Sequence, residues 1–146
     1  MELKKISSNF FVSPQITPED IPAIADEGFR TIICNRPDGE GPDQQPFAEI
    51  EAAAKAAGLE THYVPVQSGM VKDEDVDAFG EKWQALPGPV LAYCRTGKRS
   101  AMLWSLHAAD KQSPREILAA TSAAGFDLSA ATERIANGGK SSTLSA

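Results

Sequence analysis

The sequence contains few of the residues on which disulfide scaffolds and metal sites depend. Its 146 residues include two cysteines, Cys34 and Cys94, and two histidines, His62 and His107. Two cysteines are too few for the disulfide framework of a small secreted domain. Without a Cys-x-x-Cys pair, these four residues also lack the spacing of a metal-ligand cluster. We therefore expect no metal or other cofactor, and each cysteine is interpreted as a packed thiol or as a reagent.

Long hydrophobic runs and an excess of basic residues are also missing. No apolar run approaches the roughly 20 residues that a membrane-spanning helix needs, and the polar start of the chain does not resemble the core of a signal peptide. The 14 basic and 20 acidic residues give a net charge of −6, so a broad basic face for nucleic acid is not expected. These features predict a cytoplasmic protein that binds neither membranes nor nucleic acids.

What the sequence does contain is an ordinary globular composition, with 42% hydrophobic and 23% charged residues. Apolar and turn-forming segments alternate, and they predict strands at 9–13, 29–34, 59–66 and 90–93, and helices at 17–28, 46–57, 72–86, 99–110, 113–124 and 128–136. This order predicts an α/β fold, a central, mainly parallel sheet flanked by helices. We expect one domain over residues 1–136 and a flexible tail over 137–146. Ligands of such folds bind at the C-terminal ends of the strands, where Cys34 and Cys94 stand.

The segment after the last predicted strand carries the strongest chemical signal. Cys94 ends that strand, Gly97 permits a tight turn, and a helix follows. Backbone amides of such a turn converge on one point, and the helix dipole adds partial positive charge, which together bind an anion. Helix N-termini and neighbouring cations also favour the thiolate form of a cysteine. The sequence therefore predicts Cys94 as a nucleophile beside an anion-binding loop formed by Arg95, Thr96, Gly97, Lys98, Arg99 and Ser100.

The motif Cys-Arg-Thr-Gly-Lys-Arg-Ser resembles two known active-site loops. One is the Cys-Arg-Ser-Gly-x-Arg-Ser loop of rhodanese-type sulfurtransferases, and the other is the phosphate loop of cysteine-dependent tyrosine phosphatases, His-Cys-x-x-Gly-x-x-Arg. Relative to the phosphatase motif, Tyr93 replaces the histidine and Arg99 arrives one residue early. The segment 28–37, which contains Asn35 and Arg36, instead resembles the strand and Asn-x-Arg segment of compact dual-specificity phosphatases, where rhodaneses usually carry Asp-x-Arg.

This combination resembles the beta-lactamase hydrolase-like protein, phosphatase-like domain family. The resemblance implies a cysteine-dependent, dual-specificity phosphatase-like fold, on which members act variously as phosphatases or sulfurtransferases. Some members are fused to a persulfide dioxygenase domain in bacterial sulfide detoxification. The resemblance spans roughly residues 5–125, and its specific part is the motif from Cys94 to Ser100.

The length of the loop favours sulfur transfer over phosphate transfer. A phosphoryl group needs a loop that surrounds three oxygens and an arginine that pairs with two of them, whereas a persulfide is a smaller anion. We therefore expect a rhodanese-type sulfurtransferase in which Cys94 takes sulfur from thiosulfate or glutathione persulfide and passes it to an acceptor thiol. A persulfide dioxygenase domain or protein is a candidate partner. The alternatives are a phosphatase that forms a Cys94 phosphocysteine on a phosphoester, and a non-catalytic anion-binding module.

Further candidate residues lie on the predicted loops. With Cys94 and Arg99, we predict a catalytic role for Asp38, because a phosphatase needs a general acid; Asp43 and Asp73 are alternatives. Two more candidates for the same cleft, Arg36 and Cys34, lie at the end of the second strand. Cys34 is interpreted either as a resolving thiol for Cys94 or as a packed strand residue.

Overall fold

The polypeptide folds into one five-stranded sheet covered by helices on both faces. A computed structural model describes residues 2–141. The strands and helices are β1 (Lys4–Ser7), β2 (Phe10–Ser13), α1 (Ile21–Asp26), β3 (Thr31–Cys34), α2 (Phe47–Ala56), β4 (Glu60–Tyr63), α3 (Asp73–Ala85), β5 (Val90–Tyr93), α4 (Lys98–Ala108), α5 (Pro114–Ala123) and α6 (Thr132–Ala136), with 3-10 turns at Pro18–Asp20 and Ser129–Ala131. The strand order is β1-β2-β5-β3-β4, and every pair is parallel except β1 with β2. The predicted α/β fold with a mainly parallel sheet is confirmed.

Several features of this fold differ from the sequence-based expectation. The strand predicted over 59–66 is confined to β4, and the helix predicted over 128–136 is divided into a 3-10 turn and α6. The edge strand β1 was not predicted, because Lys4–Ser7 is mostly polar and too short to show an alternating pattern. The helix predicted over 17–28 is divided into a 3-10 turn and α1. In that region, the backbone N–H of Thr17 donates to the carboxylate of Asp20 at 2.9 Å, a contact typical of the start of a helix. The 3-10 turn therefore begins directly after Thr17.

The two faces of the sheet bury separate hydrophobic clusters, as expected for strands whose side chains alternate. On β3, Ile33 belongs to the cluster under α3, α4 and α5, whereas Ile32 and Cys34 belong to the cluster under α1 and α2. The first cluster contains Phe10, which makes an edge-on aromatic contact with Phe79 at a centroid distance of 5.8 Å. Burial on both faces holds the strands in register and so fixes the positions of the loops that follow them.

Both cysteines are brought to one edge of the sheet by the parallel pairing. The register sets Cys34 at the end of β3 opposite Tyr93 at the end of β5, and Cys94 follows directly. The loops that leave β3 and β5 therefore start side by side. This confirms the expected juxtaposition of the two strand ends.

The predicted tail over 137–146 lies partly outside the described residues, which end at Ser141. In the described part, the backbone N–H of Ser141 donates to Asp73 at 3.0 Å, and the carbonyl of Gly139 accepts a hydrogen bond from Arg134 at 3.1 Å. Over residues 2–141, none of the helices has the length and apolar character that crossing a membrane requires.

The aromatic contact at Phe10 predicts which side chain of β2 contributes most to stability. Phe10 is fully buried, whereas its neighbour Phe11 lies partly buried on the other face against Phe29. We expect Phe10→Ala to lower the free energy of unfolding by about 4 kcal/mol, because it leaves a cavity under α3 and α4. The control Phe11→Ala should lower it by about half as much or less. Equal losses in chemical denaturation would contradict this assignment of the core.

Candidate active site

Cys94 lies at the N-terminus of α4, with its thiol held against the backbone of the turn. Cys94 is 1% exposed, and its Sγ accepts a hydrogen bond from the backbone N–H of Gly97 at 3.1 Å. Gly97 has a φ of 94°, in the left-handed region that glycine adopts without strain. A Cβ at that position would also lie 3.1 Å from the ring of Phe126. The turn therefore needs glycine, and it directs the backbone N–H of Gly97 and the positive end of α4 toward the sulfur.

A buried amide side chain connects this turn to the neighbouring strands. Asn35 accepts a hydrogen bond from the Ser100 hydroxyl at 2.8 Å, and its Nδ2 donates to the carbonyl of Val64 at 2.9 Å. Its backbone N–H donates to the carbonyl of Tyr93 at 2.8 Å. Ser100 stands where the phosphatase motif has its arginine. The hydrogen bond from Ser100 to Asn35 therefore connects the first turn of α4 to the end of β3.

Arg99 and Arg36 share one carboxylate, that of Glu40. Arg99 binds Glu40 through both Nη atoms, at 3.0 and 3.1 Å, and Arg36 Nε donates to the same carboxylate at 3.0 Å. Both arginines are buried, and the Glu40 side chain is 23% exposed. Desolvation raises the pKa of Glu40, but the hydrogen bonds and charges of Arg99 and Arg36 outweigh it and hold this pKa below its ordinary value. Glu40 is therefore ionised at neutral pH.

The pairing with Glu40 determines which edge of Arg99 is available to a ligand. Its Nη1 also donates to the carbonyl of Val66 at 2.8 Å. None of its hydrogen bonds to residues 2–141 uses Nε. A guanidinium has two edges that can bind an oxyanion in a bidentate manner, and Glu40 occupies the one formed by the two Nη atoms. Among residues 2–141, the Nε of Arg99 has no hydrogen-bond partner, so the edge formed by Nε and Nη2 is not used by Glu40.

A cavity of about 660 Å³ opens beside the turn. It is bounded by the turn, α4, the segment before α3 and the start of α6, and its lining residues are Ser68, Gly69, Val71, Arg95, Thr96, Lys98, Arg99, Met102, Ala130, Ala131 and Arg134. The guanidinium of Arg134 is fixed by Asp73 at 2.9 Å and by the carbonyl of Val71. The cavity thus brings together the predicted loop residues Arg95, Thr96, Lys98 and Arg99, together with a basic residue from the C-terminal part of the chain.

The predicted acids lie outside the lining of this cavity. Asp38 Oδ1 accepts a hydrogen bond from the backbone N–H of Phe47 at 2.8 Å, at the start of α2. Asp73 accepts hydrogen bonds from Ser141 and Arg134, which lower the pKa of its carboxyl and disfavour the protonated form that a general acid needs. Asp43 is exposed on the same loop as Asp38. A general-acid role for Asp38 or Asp43 stays a prediction.

Cys34 is buried on the side of the sheet that α1 and α2 cover. Both cysteines are free thiols, and the Cys34 thiol donates to the carbonyl of Arg36 at 3.2 Å. Burial raises the pKa of the Cys34 thiol. Burial also raises the pKa of the neighbouring Tyr93 hydroxyl, which has no hydrogen-bond partner among residues 2–141. These surroundings favour a packing role for Cys34, and a role as resolving thiol stays a prediction.

Sequence reasoning missed Glu40, Asn35 and Arg134 as site residues. Glu40 stands in a loop rich in proline, glycine and acidic residues, and nothing in its spacing separates it from Asp38 or Asp43. Arg134 approaches the cavity only because α6 packs against α4 and α5. Asn35 was part of the segment that carried the family resemblance, and that signal could have identified it.

Comparison with known proteins gives consistent matches over most of the chain. Residues 2–111 match the family model "Beta-lactamase hydrolase-like protein, phosphatase-like domain". The beta-lactamase hydrolase-like protein of Agrobacterium fabrum is 35% identical over 90% of this chain and 31% of its own length. The chain therefore spans about a third of this curated relative.

Solved structures match the chain over nearly its whole length. A crystal structure of a candidate phosphatase from Neisseria meningitidis Z2491 has a TM-score of 0.85 and 38% identity, and it covers 94% of this chain and 99% of its own. The core catalytic domain of a PP-IP phosphatase from S. cerevisiae has a TM-score of 0.68 and 16% identity, and it covers 92% of this chain and 83% of its own. At that identity the second match shows the fold alone.

The shared carboxylate predicts a defined effect of removing the charge of Glu40. We expect Glu40→Gln to lower the free energy of unfolding at pH 7 by about 2 kcal/mol, because two buried guanidinium groups lose their charged partner. The loss should shrink as the pH falls through the lowered pKa of Glu40, since the wild-type carboxylate then becomes protonated as well. The measurement is denaturant unfolding between pH 7 and pH 3.

The matched control for this variant is Glu81→Gln on α3. Glu81 is exposed and lies outside the ion pairs described for residues 2–141. Its substitution should change the free energy of unfolding by about 0.5 kcal/mol or less. Equal effects of the two variants, or a Glu40→Gln effect that does not depend on pH, would contradict the structural role of Glu40.

Proposed function

We propose that this chain, which belongs to the beta-lactamase hydrolase-like protein, phosphatase-like domain family, hydrolyses phosphate monoesters through a Cys94 phosphocysteine. The observation that carries the proposal is the hydrogen bond from the Gly97 amide to Cys94 Sγ at the N-terminus of α4. On a fold shared with cysteine-dependent phosphatases, this arrangement supplies both a nucleophile and an oxyanion site.

A phosphatase was an alternative in the sequence analysis, and a rhodanese-type sulfurtransferase was its main expectation. Loop length favoured sulfur transfer, but the family model and the matched structures support phosphatase chemistry better. They give no support to thiosulfate, to a persulfide donor or to a persulfide dioxygenase partner. Loop length here is the number of residues between Cys94 and Arg99. The donors of the turn are backbone amides, however, and their direction depends on the Gly97 conformation and on the Asn35–Ser100 hydrogen bond.

The proposed reaction proceeds in two displacements. The amides of residues 95–100 and the free edge of Arg99 bind the phosphoryl oxygens. Cys94 Sγ then forms a bond to phosphorus while the bond to the ester oxygen breaks, and the electron pair leaves with that oxygen. Water next attacks the phosphocysteine and gives its proton to the carboxylate of the general acid, while the S–P bond breaks to release inorganic phosphate and regenerate the Cys94 thiolate.

The leaving oxygen needs a proton when it departs as an alkoxide. Asp38 and Asp43 lie on the loop that also carries Glu40, and Glu40 contacts Arg99 directly. This loop therefore reaches the site, and we retain Asp38, with Asp43 as the alternative, as the proposed general acid. The hydrogen bond from the Phe47 amide would have to break, or be shared, for Asp38 to carry the proton.

A paired assay distinguishes phosphate chemistry from sulfur chemistry. Wild-type protein should hydrolyse 4-nitrophenyl phosphate, and Cys94→Ser should abolish that turnover because the hydroxyl is a far weaker nucleophile than the thiolate. The control Cys34→Ala should keep it, since Cys34 lies under α1 and α2. Rapid acid quenching of the wild-type reaction should trap a phosphoryl adduct on Cys94 in peptide mass spectrometry. Cys94-dependent sulfur transfer from thiosulfate, without phosphate release, would overturn the proposal.

The two arginines on Glu40 predict different kinetic effects. Arg99→Lys keeps the charge but removes the free bidentate edge at the cavity, so we expect kcat/KM to fall by about 100-fold. Arg36→Lys disturbs the same carboxylate but lies outside the cavity lining, and its effect should stay below about ten-fold. Steady-state kinetics on 4-nitrophenyl phosphate tests both. A larger loss in Arg36→Lys would mean that Arg99 acts only through the ion-pair network.

A further inference from the structure

The cavity beside the turn carries more positive charge than one phosphate monoester uses. Four of its lining residues are basic, namely Arg95, Lys98, Arg99 and Arg134. The whole chain has a net charge of −6, so this cavity is a local reversal of sign. Low-dielectric walls lined by one sign of charge concentrate the electric field in a cleft and attract ligands of the opposite charge.

These four cations fall into two pairs with different surroundings. Arg99 and Arg134 are paired with carboxylates outside the lining, Glu40 and Asp73, and their guanidinium groups are held in place by backbone carbonyls as well. Arg95 and Lys98 are exposed and lie outside the ion pairs found among residues 2–141.

Hydrogen bonds from Ser129 and the charge of Lys98 lower the pKa of Asp127. Asp127 and Lys98 nevertheless form no ion pair within 4 Å. Among residues 2–141, Arg95 and Lys98 thus form no ion pair with a carboxylate, and they supply positive charge at the cavity. The amides of the turn and Arg99 are sufficient for the phosphoryl group, so these two side chains are available for a different group.

Apart from Ser68 and Thr96, the remaining lining is apolar, and the cavity is large. Val71, Met102, Ala130 and Ala131 contribute its uncharged wall, and Met102 follows Lys98 by one turn of α4. The volume of about 660 Å³ lies within the roughly 300–1,000 Å³ typical of sites for small organic ligands. An inorganic phosphate alone would leave most of this space empty, so the cavity also accommodates the leaving group of a substrate.

We propose that the substrate is a small phosphate ester whose leaving group combines an apolar portion with a second anionic group. Its phosphoryl group lies on the turn of Cys94, its apolar portion contacts Val71 and Met102, and its second anion is bound by Arg95 and Lys98. This inference rests on the proposed function, because it takes the turn as the phosphoryl site. It assigns Arg95 and Lys98 as residues that determine substrate specificity.

The test measures binding without turnover. In the Cys94→Ser protein, isothermal titration calorimetry compares phenylphosphonate with 4-phosphonobenzoate, which adds a carboxylate to the same ring. We expect 4-phosphonobenzoate to bind at least about ten-fold more tightly at low ionic strength, and this preference should decrease as salt screens the exposed cations. Arg95→Gln and Lys98→Gln, each in the same background, should reduce the preference to about three-fold or less.

A matched control removes the same charge elsewhere. Lys55→Gln lies on α2, which covers the opposite face of the sheet, and it should leave the preference at its original value. Thermal unfolding of each variant verifies that the fold is retained. Equal affinity for the two phosphonates overturns the inference, and so does a preference that survives both the Arg95→Gln and the Lys98→Gln substitutions.

The same titrations separate this inference from the proposed function. A phosphotyrosine peptide that binds more tightly than 4-phosphonobenzoate would indicate a protein substrate and overturn the small-molecule assignment. Preference for 4-phosphonobenzoate that depends on Arg95 and Lys98, in a protein whose wild-type form shows no phosphate release, would support the charge recognition and overturn the proposed hydrolysis. Phosphate release from 4-nitrophenyl phosphate without that preference would leave the hydrolysis standing and overturn the inference.

Discussion

Two buried guanidinium groups, those of Arg36 and Arg99, depend on the single carboxylate of Glu40. A buried charge without a partner costs several kcal/mol, so the loop after β3 must stay where Glu40 reaches both arginines. The same contact fixes the orientation of Arg99, because Glu40 occupies the bidentate edge formed by its two Nη atoms. The geometry of the proposed phosphoryl site thus depends on Glu40, a residue that lies outside the cavity lining.

The parallel sheet explains why this network and the nucleophile meet. Pairing of β3 with β5 starts the loops after Cys34 and Tyr93 at the same edge. In the proposed function, the donors to the anion are backbone amides of the turn and of the start of α4, which do not depend on side-chain identity. This accounts for a phosphatase-like site in a chain where Tyr93 replaces the histidine of the tyrosine phosphatase motif and Ser100 occupies the arginine position.

Local patterns were sufficient to predict most elements of the fold. The strand expected at 90–93 is β5, and the helix expected at 46–57 is α2, Phe47–Ala56, because hydrophobic period and flanking proline and glycine act over a few residues. The strand β1 was missed, since Lys4–Ser7 is short and mostly polar and shows no alternating pattern. The expectation of sulfur transfer rested on the spacing of Cys94 and Arg99. The matched family and structures support the phosphatase alternative better.

Local sequence was sufficient to predict the turn that follows Cys94, the proposed nucleophile. Three local features form this turn: a strand that ends before Cys94, a glycine able to adopt a positive φ, and a helix start. Together they place the Gly97 amide next to the Cys94 thiol. Tertiary structure decided which groups surround that turn. Glu40 binds Arg99 across 59 positions of the chain, and Arg134 reaches the cavity from α6. Such contacts arise when distant segments pack on one sheet, and no spacing along the chain encodes them.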